Sequence, residues 1–228
     1  MKIAVLGTGV VGQTLAEKLT ELGHEVKIGT RNVEEAFERT GPGNFGRPGF
    51  AEWAGKHPQI KPGTFSDASA FGEIIINTTN GMGAISALNH TGKQNHAGKP
   101  LIDVSNPLDF SKGFPPTLSV CNDDSLGEQI QSAFPDVKVI KTLNTLTANL
   151  MVNPSLVPGD HNVFMNGNDA GAKETVKKIL ESFGWKSSNI FDMGGISTAR
   201  GTEQLLPIWV RLMGLFQNNG MFNFHIVK

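Results

Sequence analysis

The chain begins with Met1-Lys-Ile-Ala-Val-Leu6, followed by Gly7-Thr-Gly9-Val-Val-Gly12 and Gln13-Thr-Leu-Ala-Glu-Lys-Leu19: an apolar strand, a glycine turn and a helix. In this pattern the first glycine allows a tight turn, the second lets backbone approach a pyrophosphate, and the third lets the helix pack on the sheet. The order therefore predicts a dinucleotide site at residues 7–12. The alternative is a glycine turn that only packs a strand against a helix.

The end of the second predicted strand indicates which dinucleotide binds. Glu25-Val-Lys-Ile-Gly29 leads into Thr30, Arg31 and Asn32, at the place where NAD sites usually carry an acid for the ribose 2′-hydroxyl. A hydroxyl and a guanidinium attract a 2′-phosphate, whereas a carboxylate would repel it. Asn32 and Glu35 have the spacing of a capping box, and the helix that they start would add donors near the same anion. The prediction is NADP(H); the alternative for Arg31 is a solvated surface arginine.

Composition excludes several classes of function. The 228 residues carry a formal net charge of −1. The sequence has neither the basic stripe typical of nucleic-acid binding nor the polybasic segment typical of membrane-surface binding. No apolar run is long enough to predict a membrane span. The single cysteine, Cys121, excludes an internal disulfide; it is expected in the core, and the compartment is expected to be the cytoplasm. The absence of tyrosine excludes a Tyr–Lys proton donor, and the six histidines lack the spacing of a metal site.

Alternating strand and helix patterns predict a doubly wound α/β sheet. Further strands are expected at 64–65, 73–77, 100–104 and 137–141. Ligands of such sheets bind outside the carboxyl ends of the strands. Polar residues follow four of these ends: Thr30, Asn77, Thr78, Thr79, Asn80, Ser105, Asn106, Asn144 and Thr145. They predict one cleft, although Asn, Ser and Thr are also common turn formers.

The chain is expected to divide into a nucleotide domain at 1–146 and a small α+β domain at 147–228. The second part carries a strand pattern at 162–166 and a long apolar helix in which Pro207 predicts a kink or an early helix start. Alternation at 222–227 predicts a terminal strand. The Gly- and Pro-rich loop at 40–49 leaves two roles open, a cover over the adenine or a plain surface insertion, and it begins an insertion relative to the family that extends from 40 to 62.

Five segments together resemble the NADPH-dependent coenzyme F420 (deazaflavin) reductase family and the nucleotide domain of the related membrane metalloreductases. They are the glycine turn, Gly29-Thr-Arg-Asn32, Asp103-Val-Ser-Asn-Pro-Leu108, Lys141-Thr-Leu-Asn-Thr145 and Ala199-Arg-Gly-Thr-Glu203. The resemblance covers nearly the full length. It implies a Rossmann domain, a small C-terminal domain over the nicotinamide, NADP(H) as coenzyme and a homodimer.

The resemblance also implies roles for individual residues. Thr30, Arg31 and Asn32 would meet the 2′-phosphate, while the segment 105–107 would line the nicotinamide side and Asn144 would lie near the ring. The complete set of predicted coenzyme-binding residues is Gly7, Thr8, Gly9, Val10, Val11, Gly12, Thr30, Arg31, Asn32, Thr78, Thr79, Asn80, Ser105, Asn106, Pro107 and Asn144.

Two segments qualify the resemblance. Arg200 and Glu203 match the family at the start of the last long helix, and we expect a structural role for them, as an ion pair that anchors this helix. The segment 77–80 departs from the family because it is more polar than the apolar, proline-containing segment usual there. The acceptor pocket is therefore expected to differ.

Hydride transfer between two rings needs little acid or base, since proximity and orientation supply most of the rate. A site lined by Asn144, Ser105 and Asn106, with no catalytic side chain and no metal, suits that reaction. The predicted function is an NADP(H)-dependent oxidoreductase that transfers hydride between NADPH and a small planar acceptor such as a deazaflavin or flavin. Two alternatives stay open: a non-catalytic NADP-binding protein that senses redox state or docks to a partner, and a dehydrogenase of small hydroxy acids.

Overall fold

The structure is a computed structural model that describes residues 1–39 and 48–227. Its strands, in chain order, are β1 (Lys2–Leu6), β2 (Glu25–Thr30), β3 (Lys61–Thr64), β4 (Ile74–Asn77), β5 (Pro100–Asp103), β6 (Leu108–Asp109), β7 (Thr117–Leu118), β8 (Lys138–Thr142), β9 (Val163–Gly167) and β10 (Ile190–Asp192).

The α-helices, in chain order, are α1 (Val10–Glu21), α2 (Val33–Glu38), α3 (Phe50–Lys56), α4 (Phe65–Phe71), α5 (Ala84–Asn89), α6 (Lys93–His96), α7 (Leu126–Ala133), α8 (Ala148–Val152), α9 (Ala170–Ser182), α10 (Ala199–Gln204) and α11 (Leu206–Leu215). Short 3₁₀ turns occur at Gly81–Gly83, Pro154–Leu156, Ser187–Asn189 and Ile196–Thr198. None of the helices in the described ranges is long and apolar enough to cross a membrane.

One eight-stranded sheet forms the centre of the molecule, in the order β10-β9-β8-β5-β4-β1-β2-β3. Six neighbouring strands of this sheet are parallel, as the alternating pattern predicted; they are β8, β5, β4, β1, β2 and β3. Ile74 and Ile76 of β4 pack into the core on one face, and Ile75 packs into the core on the other. Because helices cover both faces, this strand is a continuous apolar run.

The third strand ends where the sequence predicted that it would begin. Residues 61–64 form β3, and Phe65 is the buried first residue of α4. Thr64 accepts a hydrogen bond from the Asp67 backbone N–H, while the Asp67 carboxylate accepts from the Thr64 backbone N–H. This capping box starts a helix at Phe65, so the strand cannot continue.

The residues after 146 extend the same sheet. Strand β9 pairs antiparallel with β8, and β10 pairs parallel with β9. The predicted interruption near Pro207 is present, because α10 ends at Gln204 and α11 starts with proline in its first turn. The division into 1–146 and 147–228 stays a prediction.

Two further expectations about local structure were wrong, and one lies outside the described residues. Residues 222–227 form no strand; instead Asn162 donates its backbone N–H to the Phe224 carbonyl, and its side-chain oxygen accepts from the Ile226 N–H. Cys121 is half-buried in a loop rather than in the core. The predicted adenine cover at 40–49 falls largely on residues 40–47, outside the described ranges.

Candidate active site

The glycine turn connects β1 to α1 and contacts the end of β4. Gly7 has φ +120°, a conformation that favours glycine, and its N–H donates to the Gly29 carbonyl at 2.9 Å. A Cβ on Gly12 would overlap the Gly7 carbonyl oxygen, so the helix packs against the turn with no room for a side chain at this position. Thr78, which follows β4, packs against the turn, and its hydroxyl donates to the Leu6 carbonyl at 2.8 Å.

Gly9 differs from these two glycines because it faces open space. A Cβ built on Gly9 has no atom within 4 Å, and its φ of −76° is accessible to any residue. Gly9 is also the N-cap of α1, with no side-chain cap and no acid in the first turn. The first N–H groups of this helix therefore remain available, and they form an anion-binding end next to an open glycine.

The end of β2 carries the residues predicted to select the coenzyme. Thr30 is buried, whereas Arg31 is exposed and makes no hydrogen bond or ion pair with any other described residue. Asn32 caps α2 as expected: its side-chain oxygen accepts from the Glu35 N–H at 3.2 Å, and its amide donates to the Glu35 carboxylate at 3.3 Å. This N-cap occupies a donor of a six-residue helix that also has Glu34 and Glu35 in its first turn, and the reciprocal backbone bond of the predicted capping box does not form. Attraction for a phosphate at this end therefore depends on Arg31 rather than on the helix.

The end of β4 is internally bonded rather than free. Asn77 is fully buried, and its side-chain oxygen accepts from the Thr79 hydroxyl at 2.7 Å. Asn80 caps the following 3₁₀ turn by accepting from the Met82 N–H at 3.0 Å. Thr78 and Thr79 are half-buried between the glycine turn and the next strand. The structure thus brings this segment beside residues 7–12, as the strand order requires.

The ends of β5 and β8 are joined by two asparagines. The Asn106 amide donates to the Asn144 backbone carbonyl at 2.8 Å, and the Asn144 amide donates to the Asn106 side-chain oxygen at 3.1 Å. The Asn144 amide also lies 3.2 Å from the Thr202 carbonyl of α10. Pro107 is buried beside this pair. The residues predicted to line the nicotinamide side are therefore adjacent, and Asn144 contacts helix α10.

The backbone just before Asn144 is strained. Leu143 has φ +62° and is buried. A left-handed conformation costs a non-glycine residue about 1–3 kcal/mol, and such residues cluster at functional sites. The strain allows the chain to turn sharply from β8, so that Asn144 points back toward Asn106.

A buried ion cluster lies directly below this edge of the sheet. Lys141 of β8 is completely buried, and its ammonium lies 2.7 Å from an Asp103 oxygen and 2.8 Å from a Glu203 oxygen. Burial alone would lower the pKa of Lys141, but the two carboxylates and their hydrogen bonds outweigh it and raise that pKa. The ammonium is therefore a fixed charge within the fold.

Sequence reasoning assigned no role to Lys141, although a signal was present. A lysine near the end of an otherwise apolar central strand cannot reach water and needs a buried partner. Asp103 stands at the corresponding place in β5, where the register pairs these two residues. A charged residue of each sign at the end of adjacent central strands predicts such a pair.

The expected ion pair between Arg200 and Glu203 does not form. Arg200 binds the Glu128 carboxylate through two nitrogens, at 2.8 and 2.6 Å. Glu203 accepts from the backbone N–H groups of Leu126 and Gly127 at 2.8 and 3.0 Å. Both side chains of α10 thus bind the first turn of α7, because each points across to that helix rather than along its own.

Among the described residues, no group of three or more His, Cys, Asp or Glu side chains is arranged to hold a metal. The open glycine turn, the cation at the end of β2, which has no partner among residues 1–39 and 48–227, and the polar edge beyond it fit a phosphorylated dinucleotide.

Comparison with known proteins identifies the family. The sequence profile described as NADP oxidoreductase, coenzyme F420-dependent, matches residues 2–107. A crystal structure from Arthrobacter sp. FB24, whose protein carries the provisional name F420-dependent NADP reductase, superposes with a TM-score of 0.95 at 50% identity over 100% of both chains. The chain belongs to this family. Membership in the coenzyme F420-dependent NADP oxidoreductases agrees with the Rossmann fold of the sheet, and it places the chain among enzymes that use NADP.

Two curated relatives align with most of this chain. The F420-dependent NADP reductase of Methanothermobacter marburgensis is 27% identical over 93% of the chain and 92% of its own length. The metalloreductase STEAP3 of Rattus norvegicus is 28% identical over 98% of the chain. The chain spans 41% of the length of that rat protein.

Proposed function

We propose that this NADP oxidoreductase transfers hydride between NADPH and a small planar ring acceptor of the deazaflavin or flavin type. The observation that carries the proposal is the uncharged edge formed by Asn106 and Asn144. The charged groups below this edge, Asp103, Lys141 and Glu203, are buried, and both carboxylates are bonded to the Lys141 ammonium. Such a site orients two rings and excludes water, and it offers no free acid or base to a developing alkoxide.

The coenzyme supplies the hydride, and the residues of the chain hold and orient it. We assign the pyrophosphate to the N-terminus of α1 beside Gly9, the 2′-phosphate to Arg31 and Thr30, and the nicotinamide to residues 105–107 and Asn144. The open space at Gly9 and the exposed guanidinium of Arg31, which binds none of the described side chains, support the first two assignments. The name of the M. marburgensis relative supports a deazaflavin as the acceptor.

The proposal includes a homodimer in the cytoplasm. Exposed apolar side chains on and after α11, among them Ile208, Leu215 and Phe216 at 52%, 72% and 47% exposure, support a self-association surface. Light scattering after size-exclusion chromatography measures the mass directly. A monomer at micromolar concentration would contradict this part.

The function itself is tested by the oxidation of NADPH at 340 nm with a panel of acceptors: coenzyme F420, FMN, FAD, riboflavin and small 2-oxo acids. We expect turnover with at least one tricyclic acceptor and none with the oxo acids. Tight NADPH binding without turnover on any acceptor would instead indicate a redox sensor or docking protein. Turnover on the oxo acids alone would indicate a hydroxy-acid dehydrogenase.

A further inference from the structure

We propose that Lys141 is a positioning residue for hydride transfer. Through Glu203, the positioning by Lys141 depends on helix α10. In this proposal, which rests on the proposed function, the ammonium fixes the backbone of the nicotinamide-side segment 105–107 from beneath. The charge would hold this geometry only while α10 is packed in place.

The first step of the argument is the direct contact between Lys141 and that segment. Besides its two carboxylate partners, the ammonium donates to the Ser105 backbone carbonyl at 2.6 Å. All three donors of the ammonium are thereby used, on Asp103, Glu203 and Ser105. The side chain has no exposed surface, so it cannot exchange these partners for water.

The second step is that Ser105 is held from two sides. While Lys141 binds its carbonyl, the Asp103 carboxylate accepts from the Ser105 hydroxyl at 2.7 Å and from its N–H at 3.2 Å. The same carboxylate oxygen accepts from the Asn77 amide at 2.8 Å. The donor, acceptor and side chain of Ser105 are therefore all fixed, and the next residue, Asn106, starts the asparagine pair from a defined position.

The third step is the origin of Glu203. It belongs to α10, whereas Asp103 and Lys141 belong to neighbouring sheet strands. Its carboxylate joins the ammonium to the first two N–H groups of α7, which places its negative charge at the positive end of that eight-residue helix. A helix from the end of the chain thus supplies one of the two counter-charges for the lysine that holds Ser105.

The fourth step concerns why charges are used at this place. A buried ionic cluster can often be replaced by apolar side chains without loss of stability, so stability alone does not account for it. A fixed ammonium with three directed bonds specifies one geometry, which apolar packing would specify less sharply. Since displacement of reacting groups by about 1 Å can slow a reaction roughly 100-fold, such specification matters most beside the reacting ring.

The experiment compares Lys141→Met and Glu203→Gln with Lys138→Met. Lys138 lies on the same strand but is only half-buried, and its ammonium pairs with Asp169 at the surface. For each variant we would measure the NADPH dissociation constant, the emission of bound NADPH, and the single-turnover rate of hydride transfer with NADPH carrying hydrogen or deuterium at C4. The acceptor is the one that the wild type turns over fastest.

We expect Lys141→Met to slow hydride transfer about 10- to 100-fold, with a dissociation constant within about 3-fold of wild type. Glu203→Gln should slow the same step by a smaller factor, because Asp103 and Ser105 still hold the ammonium. Both variants should change the emission of the bound nicotinamide, and Lys138→Met should change none of these quantities.

Three results would overturn the proposal. A folded Lys141→Met variant with wild-type hydride-transfer rate and emission would show that the cluster is structural only. An unchanged rate in Glu203→Gln would remove the dependence on α10. Equal losses of binding and rate in Lys141→Met would show general damage to the coenzyme site.

Two measurements keep the test independent of other failures. If Lys141→Met does not fold, Glu203→Gln, which preserves shape, still tests the coupling. If the wild type turns over no acceptor, the proposed function fails, whereas the emission of bound NADPH still reports whether Lys141 positions the ring.

Discussion

Asn106 and Asn144 each donate a side-chain hydrogen bond to the other, to the Asn144 backbone carbonyl at 2.8 Å and to the Asn106 side-chain oxygen at 3.1 Å, although they lie 38 positions apart in the chain. The two residues follow neighbouring parallel strands. Their amide side chains do not ionise near neutral pH. The pair therefore gives the candidate site its defined shape without giving it charge.

Replacing Asn144 with Asp is expected to disrupt this edge. A carboxylate cannot donate to the half-buried Asn106 oxygen or to the Thr202 carbonyl, so both acceptors lose this donor. We expect a loss of about 1–3 kcal/mol in the free energy of unfolding, together with slower hydride transfer. Denaturant titration and single-turnover kinetics measure the two effects. Asn219→Asp is the matched control, because the side-chain oxygen of this exposed residue can still accept from the Met221 N–H.

The glycines of the turn should respond to substitution in opposite ways. Gly9→Val adds atoms to open space and should leave stability nearly unchanged, but its side chain would occupy the path of the pyrophosphate. Gly12→Ala pushes a methyl group into the Gly7 carbonyl and should cost about 1–3 kcal/mol of stability. Calorimetric binding of NADPH and thermal unfolding separate the two. Near-normal NADPH affinity in Gly9→Val would contradict the pyrophosphate assignment.

Arg31→Ala should weaken NADPH binding selectively. The loss of one hydrogen bond to a charged phosphate corresponds to about 1.5–3 kcal/mol, or roughly a 10- to 100-fold rise in the dissociation constant. NADH should bind within about 2-fold of wild type, because it carries no 2′-phosphate for the guanidinium to attract. Titration of both coenzymes at two salt concentrations measures this. An exposed arginine of α11, Arg211, provides the control, and equal losses for NADPH and NADH would remove the assignment.

The pair between Glu128 and Arg200 predicts a pH-dependent contribution to stability. Hydrogen bonds from Arg200 hold the pKa of the Glu128 carboxyl below its usual value, against the opposing effect of burial. Because the folded-state pKa is the lower one, the contribution is present above the unfolded pKa of about 4.3 and is lost as the pH falls through the folded value. Glu128→Gln should therefore lower the Tm at pH 7, and the difference from wild type should shrink below about pH 4. A Tm difference that stays constant from pH 7 to acid would contradict the ion pair; Glu181→Gln on α9 serves as the control.

Local patterns in the sequence predicted much of this fold. The glycine turn, the N-cap at Asn32 and the buried run of β4 each depend on neighbours within a few residues, so short windows contain the needed information. The third strand was misplaced because Thr64 fits a strand by propensity and a helix cap by its contact with Asp67. Cap chemistry decided that boundary.

Longer-range contacts were not predictable in the same way. The i, i+3 spacing of Arg200 and Glu203 suggested that they pair with each other, but the packing of α10 against α7 offers both residues better partners. Similarly, the strand pattern at 162–166 has the same period whether its neighbour is parallel or antiparallel. Its pairing with β8 depends on how the intervening residues 143–162 lead the chain back.

The antiparallel pairing of β9 with β8 has a consequence for synthesis of the protein. During translation, β8 emerges from the ribosome before residues 163–167, so a nascent chain that already holds the glycine turn and the first parallel strands still has an open hydrogen-bonding edge beside Thr142. Open edges recruit other strands and promote aggregation. A gene fragment that ends at residue 146 would make that transient state permanent.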